Sequence, residues 1–173
     1  MPFVIRPATT ADVSAIVALH RLPHVAARLS VPTEEQVRSG LEVPDERDFV
    51  VERDGSVAGS VRCIVSDGWL IEIRRVIAGV PRIGLGRFMM REILRWAFER
   101  ESAHRVFLET EASNVKARRL YESLGFVHEG TWRDGYRHAD GTFRDLCAYG
   151  LLAAEYASHV ADRQASGQGE RLP

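Results

Sequence analysis

From Trp69 to Gly125 the chain reads as strand, glycine-bearing loop, long helix, strand and second helix, and few folds accept that order. Trp69 to Ile77 is a run rich in Val and Ile, opened by the turn signal Asp67-Gly68. The stretch Ala78 to Ile83 is a loop. A helix follows from about Gly84 to Glu101, with Leu85, Phe88, Met89, Ile93, Trp96 and Ala97 at helical spacing. His104 to Thr110 is the next strand, and Asn114 to Leu124 is a helix closed by Gly125. Strand, helix and strand in this order predict a right-handed parallel crossover.

The flanks add antiparallel elements. Phe3 to Arg6 alternates as a first strand, and Thr10 caps a helix from Ala11 to His20 that Pro23 breaks. Thr33-Glu34-Glu35-Gln36 is a capping box opening a short helix to about Leu41. Phe49 to Glu52 and Val57 to Val65 form a hairpin around Asp54-Gly55. A last pair of strands lies near Phe126 to Thr131 and Thr142 to Leu152. The fold class is α/β (α+β): one domain over residues 1–157, with a mixed sheet, a parallel crossover and flanking helices. The polar tail 158–173 reads as disordered.

Bulk properties remove several function classes. A chain of 173 residues suits one stable core, and its formal net charge of -1 argues against a general nucleic-acid binder. No apolar run is long enough to cross a bilayer, and the N-terminus lacks the layout of a secretory signal, so a cytoplasmic location is expected. Cys63 and Cys147 sit far apart in strand-like runs and read as buried thiols.

Chemistry concentrates where the first crossover strand meets the long helix. The loop Val80-Pro81-Arg82-Ile83-Gly84-Leu85-Gly86-Arg87 leads into a helix N-terminus, whose open N–H groups and partial positive charge attract phosphate. Taken alone, a Gly-x-Gly before a helix is as often a tight turn. A triphosphate loop fails here because Leu85 and Gly86 stand where lysine and Ser or Thr are required. A dinucleotide fingerprint is weakened by Met89 at its third small position. The second constellation is Asn114-x-x-Ala117-x-x-Leu120-Tyr121-x-x-x-Gly125-Phe126, directly after a strand.

These two motifs in this order, at this spacing, resemble the GCN5-related N-acetyltransferase (GNAT) superfamily. The run Glu72-Ile73-Arg74-Arg75-Val76, through His104-Arg105-Val106 to Glu129-Gly130, is similar to its ribosomal-protein and small-molecule N-acetyltransferase branch. The resemblance implies a GNAT fold with a mostly antiparallel mixed sheet. It implies an acyltransferase that moves an acetyl group from acetyl-CoA, as co-substrate, to a primary amine in a ternary complex without metal. Backbone amides of Arg82, Ile83, Gly84, Leu85, Gly86 and Arg87 would hold the pyrophosphate. Main-chain groups of Val76, Ile77 and Ala78 would pair with the pantetheine arm, and Asn114 would hydrogen-bond it. Tyr121 would sit near the sulfur as the acid, and Glu72 on the strand would be the base. Pro81 and Arg82 depart from the common loop, which usually carries Gln or Arg and then glycine at those positions.

Read from the residues alone, Tyr121 also packs naturally beside Leu120 and Leu124, and Glu72 also suits an ion pair with Arg74. Glu109 and Glu111 are further candidates for binding a cationic acceptor. His20 and His24 have metal-like spacing, but Pro23 interrupts the helix that would align them. The acceptor depends on the first two helices and on Trp132, Tyr136, Arg137 and their neighbours. The partners expected are a small-molecule or peptide amine, with no nucleic acid and no membrane; a homodimer stays open, as does a non-catalytic acyl-CoA-binding module.

Overall fold

The computed structural model describes residues 3–138 and 140–165. Among them the strands are β1 (Val4–Pro7), β2 (Glu46–Arg53), β3 (Ser56–Ser66), β4 (Leu70–Ala78), β5 (Arg105–Glu111), β6 (Val127–Arg137) and β7 (Phe143–Leu152). They form one sheet in the order β1-β2-β3-β4-β5-β7-β6. The pairs β1–β2, β2–β3, β5–β7 and β6–β7 are antiparallel. The tight turn between β3 and β4 requires antiparallel pairing, so the one parallel pair is β4–β5, joined through a helix. The expected mixed, mostly antiparallel α+β sheet is therefore present.

Two compact units make up the chain, the first comprising Met1–Ser66 and Ile73–Ile93. Its hairpin turn has Asp54 at φ 53 and Gly55 at φ 76, the type I′ geometry that suits the strand twist. Helix α1 (Val13–His20) follows a 3-10 turn (Thr10–Asp12) capped by Thr9, one residue earlier than the sequence suggested. The short α2 (Pro23–Ala26) begins at the proline that stops α1. Helix α3 (Glu34–Leu41) opens on the expected capping box, with the Gln36 N–H donating to Thr33 Oγ1 at 3.2 Å. Val13, Ile16, Val17, Val37 and Val50 close one apolar cluster, and Leu19, Val25 and Ile77 a second.

One ion-pair network ties the start of this unit together. Arg6 donates to both oxygens of Asp12 at 2.8 Å and, through Nη2, to Glu52 Oε1 at 2.6 Å. Those bonds hold the buried Asp12 carboxyl well below the usual carboxylate range, against the opposing cost of burial. A lowered folded value means the unfolded chain binds that proton more tightly. The stability is thus complete above the unfolded value of about 4 and is lost as pH falls below it. Asp12→Asn should destabilise the fold by about 1–3 kcal/mol at neutral pH, and by progressively less toward pH 2. Melting curves over pH test this; parallel curves for both proteins would remove Asp12 from the account.

The second unit comprises Asp67–Glu72 and Leu94–Pro173. The helix α4 (Leu85–Arg95) starts in the first unit and ends in a wide π turn (Trp96–Arg100), so the expected helix to Glu101 changes register near its end. Strand β7 pairs with β5 on one side and β6 on the other, burying Val106, Leu108, Cys147, Tyr149 and Leu151. Helix α5 (Val115–Glu122) is followed by Gly125 at φ 95. Residues 158–165 depart from expectation: they continue α6 (Ala153–Ala165) instead of starting a disordered tail. His159 on that helix sits where a Cβ on Gly125 would meet its ring at 3.3 Å. Residues 166–173 of the expected tail lie outside the described residues. Cys63 and Cys147 are free and buried. Among the described residues no helix is long and apolar enough to cross a membrane.

Candidate functional site

The loop from β4 to α4 is built to leave its N–H groups open. Gly79 anchors the exit from β4, its N–H donating to the Ala58 carbonyl at 2.8 Å. A Cβ there would stand 2.6 Å from that oxygen and 2.8 Å from Leu19 Cδ2, so only glycine fits. Arg82 then takes φ 70 and Gly84 φ 83, two left-handed residues that turn successive peptides in the same direction. The first helical bond runs from the Phe88 N–H to the Gly84 carbonyl at 3.0 Å. The N–H groups of the first helical residues therefore have no carbonyl a turn earlier. Among the described residues, the N–H groups of Arg82, Gly84, Leu85 and Gly86 make no hydrogen bond, while residues 81 and 82 form a turn that directs the Ile83 N–H toward the Val80 carbonyl. Leu85, 1% exposed, pins the start of the helix, while Arg82 and Arg87 stay exposed. The result is a fan of donors with two cationic side chains beside it, which fits a pyrophosphate.

The departure at Arg82 now has a physical reading. A glycine takes φ 70 freely, whereas an arginine there costs about 1–2 kcal/mol. The backbone keeps the turn that a glycine would give. Val76 and Ala78 are half-buried on β4 and Ile77 is buried, and the Ala78 carbonyl accepts from His24 Nε2 at 3.0 Å. That contact has no signal in the sequence, where His24 reads only by its metal-like spacing from His20. Its carbonyl retains a second lone pair.

The other candidates lie in the second unit. Asn114 caps α5, its Oδ1 accepting from the Ala117 N–H at 3.4 Å, which orients the side-chain NH2 as the remaining donor. Tyr121 is 8% exposed, with its ring centroid 6.0 Å from Phe126 and 5.9 Å from Tyr149. Burial, and next the neighbouring Tyr149, push its phenol up to about 12. Tyr149 is itself fixed, accepting from Arg118 Nε at 3.1 Å and donating to Glu122 Oε1 at 2.9 Å. Glu72, Glu109 and Glu111 are half-buried on β4 and β5. Trp132, Tyr136 and Arg137 fall on β6, which runs past the expected end at Thr131 and bulges between Trp132 and Tyr136. Asp134, at φ 52, sits in that bulge and donates its N–H to Asp145 Oδ1 at 3.0 Å. Among the described residues no group of three or more His, Cys, Asp or Glu is placed to hold a metal ion.

Residues 14–126 match the model of the Acetyltransferase (GNAT) family. That is well over half of the chain, which therefore belongs to the GNAT family of acetyltransferases and is an acyltransferase. The family uses acetyl-CoA as its co-substrate. Among individual proteins, the chain is 36% identical over 66 residues to the "Putative ribosomal N-acetyltransferase YdaF" of Bacillus subtilis (strain 168). That match covers 38% of this chain and 36% of the relative, about a third of its length. A solved "putative acetyltransferase" of T. thermophilus is 28% identical with a TM-score of 0.76, covering 96% of this chain and 94% of its own. A chimera of the spermidine N-acetyltransferase SpeG of Vibrio cholerae with hSSAT reaches a TM-score of 0.80 at 22% identity, covering 91% of this chain and 99% of its own. At that identity the likeness speaks for the fold alone.

Proposed function

We propose that the protein moves an acetyl group from acetyl-CoA to a primary amine by direct attack in a ternary complex. The observation that carries the reading is the set of open N–H groups of Arg82, Gly84, Leu85 and Gly86 at the start of α4. In this reading those amides, continued by that of Arg87, hold the pyrophosphate. Main-chain groups of Val76, Ile77 and Ala78 align the pantetheine arm as an added strand would. The NH2 of Asn114 donates to the same arm. The amine nitrogen bonds to the acetyl carbonyl carbon as the C–S bond breaks. Glu72 takes the proton the amine loses, and Tyr121 donates to the departing sulfur. The acetyl-CoA thioester supplies the activated acyl group.

A ligand that binds only the folded state stabilises it by RT ln(1 + [L]/Kd), about 2.7 kcal/mol at a hundredfold excess over Kd. Acetyl-CoA should accordingly raise the melting temperature well above any shift from equal ATP or NAD. A larger shift with ATP would overturn the cradle assignment. Release of free CoA with a panel of amines tests transfer itself; binding without release from any amine would mark a non-catalytic acyl-CoA-binding module. In the same assay Glu72→Gln should slow turnover at neutral pH and recover part of it as pH rises. Full turnover with lowered stability would make Glu72 an ion-pair partner only.

A further inference from the structure

A cavity of about 340 Å³ lies within the first unit, lined from α1, α3, β2, β3 and β4. Its polar wall includes His20, Asp48, Ser60, Arg62 and Arg75, beside Ile77 of the proposed pantetheine strand. These residues come from four separate stretches of the sequence, and their bonding is uneven. Arg62 is engaged, its Nε donating to Asp48 Oδ1 at 2.9 Å and its Nη1 lying 3.0 Å from Glu46 Oε2. Asp48 has 8% of its side chain exposed, and its Oδ2 is buried with no hydrogen bond among the described residues. Arg75 is half-buried and, among the described residues, makes no hydrogen bond or ion pair.

The electrostatics point the same way. An arginine keeps its proton, so Arg75 carries a charge into the wall without a bonded counter-ion. Burial, then Arg62 and Arg74, disfavour that charge, and Asp48 and Glu46 offset this only in part. His20 adds none: its Nδ1 lies 3.0 Å from the Ser30 carbonyl, which can only accept, so Nδ1 carries the hydrogen and Nε2 the lone pair. Burial, then Arg75 and Arg62, lower its pKa and keep it neutral at pH 7. Asp48 and Glu46 are both committed to Arg62, which leaves Arg75 as the cation in the wall without a bonded carboxylate. The volume suits a molecule of small-metabolite size.

We infer that this cavity receives the acceptor, and that the acceptor is a small primary amine bearing a carboxylate, laid out like an amino acid. The inference rests on the transferase reading but not on Glu72 as base, since alternation along β4 places Glu72 on the opposite face from Arg75 and Ile77. The carboxylate pairs with Arg75 in the two-pronged geometry guanidinium favours. A polyamine offers no carboxylate to Arg75 and would set further positive charge beside it.

Matched pairs test this by CoA release: phenylalanine against phenethylamine, lysine against cadaverine, with spermidine and a short peptide N-terminus alongside. The wild-type kcat/KM should favour the carboxylate-bearing member of at least one pair by about tenfold or more, and should favour it over spermidine and the peptide. Arg75→Met should bring that ratio to within about twofold, chiefly through KM, and Arg75→Lys should keep part of it. Preference for the decarboxylated amine, spermidine or the peptide overturns the inference, as does a preference that survives Arg75→Met. Calorimetric acetyl-CoA affinity, measured on every variant, separates the two levels. Lost acetyl-CoA binding in the wild type sinks the transferase reading, whereas retained binding with an Arg75-independent preference sinks only the acceptor assignment. Should Arg75→Met fail to fold, Arg75→Gln serves in its place. Should no amine turn over, a melting shift by phenylalanine or lysine that disappears in the Arg75 variant supports the pocket, and its absence overturns it.

Discussion

Gly84→Val is expected to reduce acetyl-CoA affinity by at least about a hundredfold while leaving the protein folded. A Cβ at position 84 would meet no protein atom within 4 Å, so the substitution creates no internal clash. The damage comes from the backbone, because Gly84 holds φ 83, a region in which a β-branched residue is an outlier. Valine must either carry that strain or swing the peptide away, and swinging it away disperses the donors from Arg82 to Gly86. Hydrogen bonds to a charged group contribute about 1.5–3 kcal/mol each, so losing two explains a hundredfold or more. The added side chain would also fill the space through which a pyrophosphate approaches. Stability should fall only modestly, by a few degrees in Tm. Arg82→Gly is the useful contrast, since it relieves a left-handed arginine and should preserve the cradle. A calorimetric titration decides; wild-type affinity in Gly84→Val would place the pyrophosphate elsewhere.

The parts of the fold that could be read from sequence are those governed by local chemistry. Asp54-Gly55 and Asp67-Gly68 are turn dipeptides because both members tolerate positive φ, and all four adopt it. Thr33 to Gln36 is a capping box because its bonds close within one turn. Helix α6 was hidden for the opposite reason. Its polar composition resembles a solvated tail, but contacts from afar hold it: Tyr156 stacks on Phe98 at 4.6 Å and donates to Glu99 Oε1 at 2.8 Å. The length of β6 was hidden likewise, since its outer half pairs with β7 across a bulge that no local signal announces.

The candidate site divides along the same line. Loop 82–87 was legible because glycines before a helix mark a bend, although Arg82 concealed one left-handed residue. The Arg75 cavity was not. An arginine in a Val/Ile strand signals that something polar lies on one side, and Arg74 offered itself as the simpler participant through an expected ion pair with Glu72. Only the fold brings residues 20, 48, 62 and 75 to one wall. His24 on the Ala78 carbonyl is another contact of that kind, spanning 54 positions in the chain.

Tyr121→Phe is expected to lower kcat by about tenfold, with folding and acetyl-CoA affinity preserved. Among the described residues the phenol oxygen makes no hydrogen bond, so deleting it strands no partner. The ring contacts with Phe126 and Tyr149 survive in phenylalanine. In the wild type, burial pushes the phenol up to about 12, which leaves it protonated across the physiological range and able to donate. The same shift limits its strength. A thiol of the cysteine type has a pKa of about 8.5, so complete transfer from this phenol to a thiolate is uphill by several kcal/mol. Tyr121 therefore helps chiefly by hydrogen-bonding the sulfur as negative charge develops, and the proton passes on as the product complex opens to water. That places the effect at or below the low end of the hundredfold or more typical of general acids. Because the folded pKa lies above the ordinary value near 10, the wild-type donor persists to high pH, and the deficit in Tyr121→Phe should be constant from about pH 6 to 9. Steady-state rates over that range, with the acceptor found in the amine panel, make the comparison direct. A wild-type kcat in the variant would reduce Tyr121 to a packing residue between Phe126 and Tyr149.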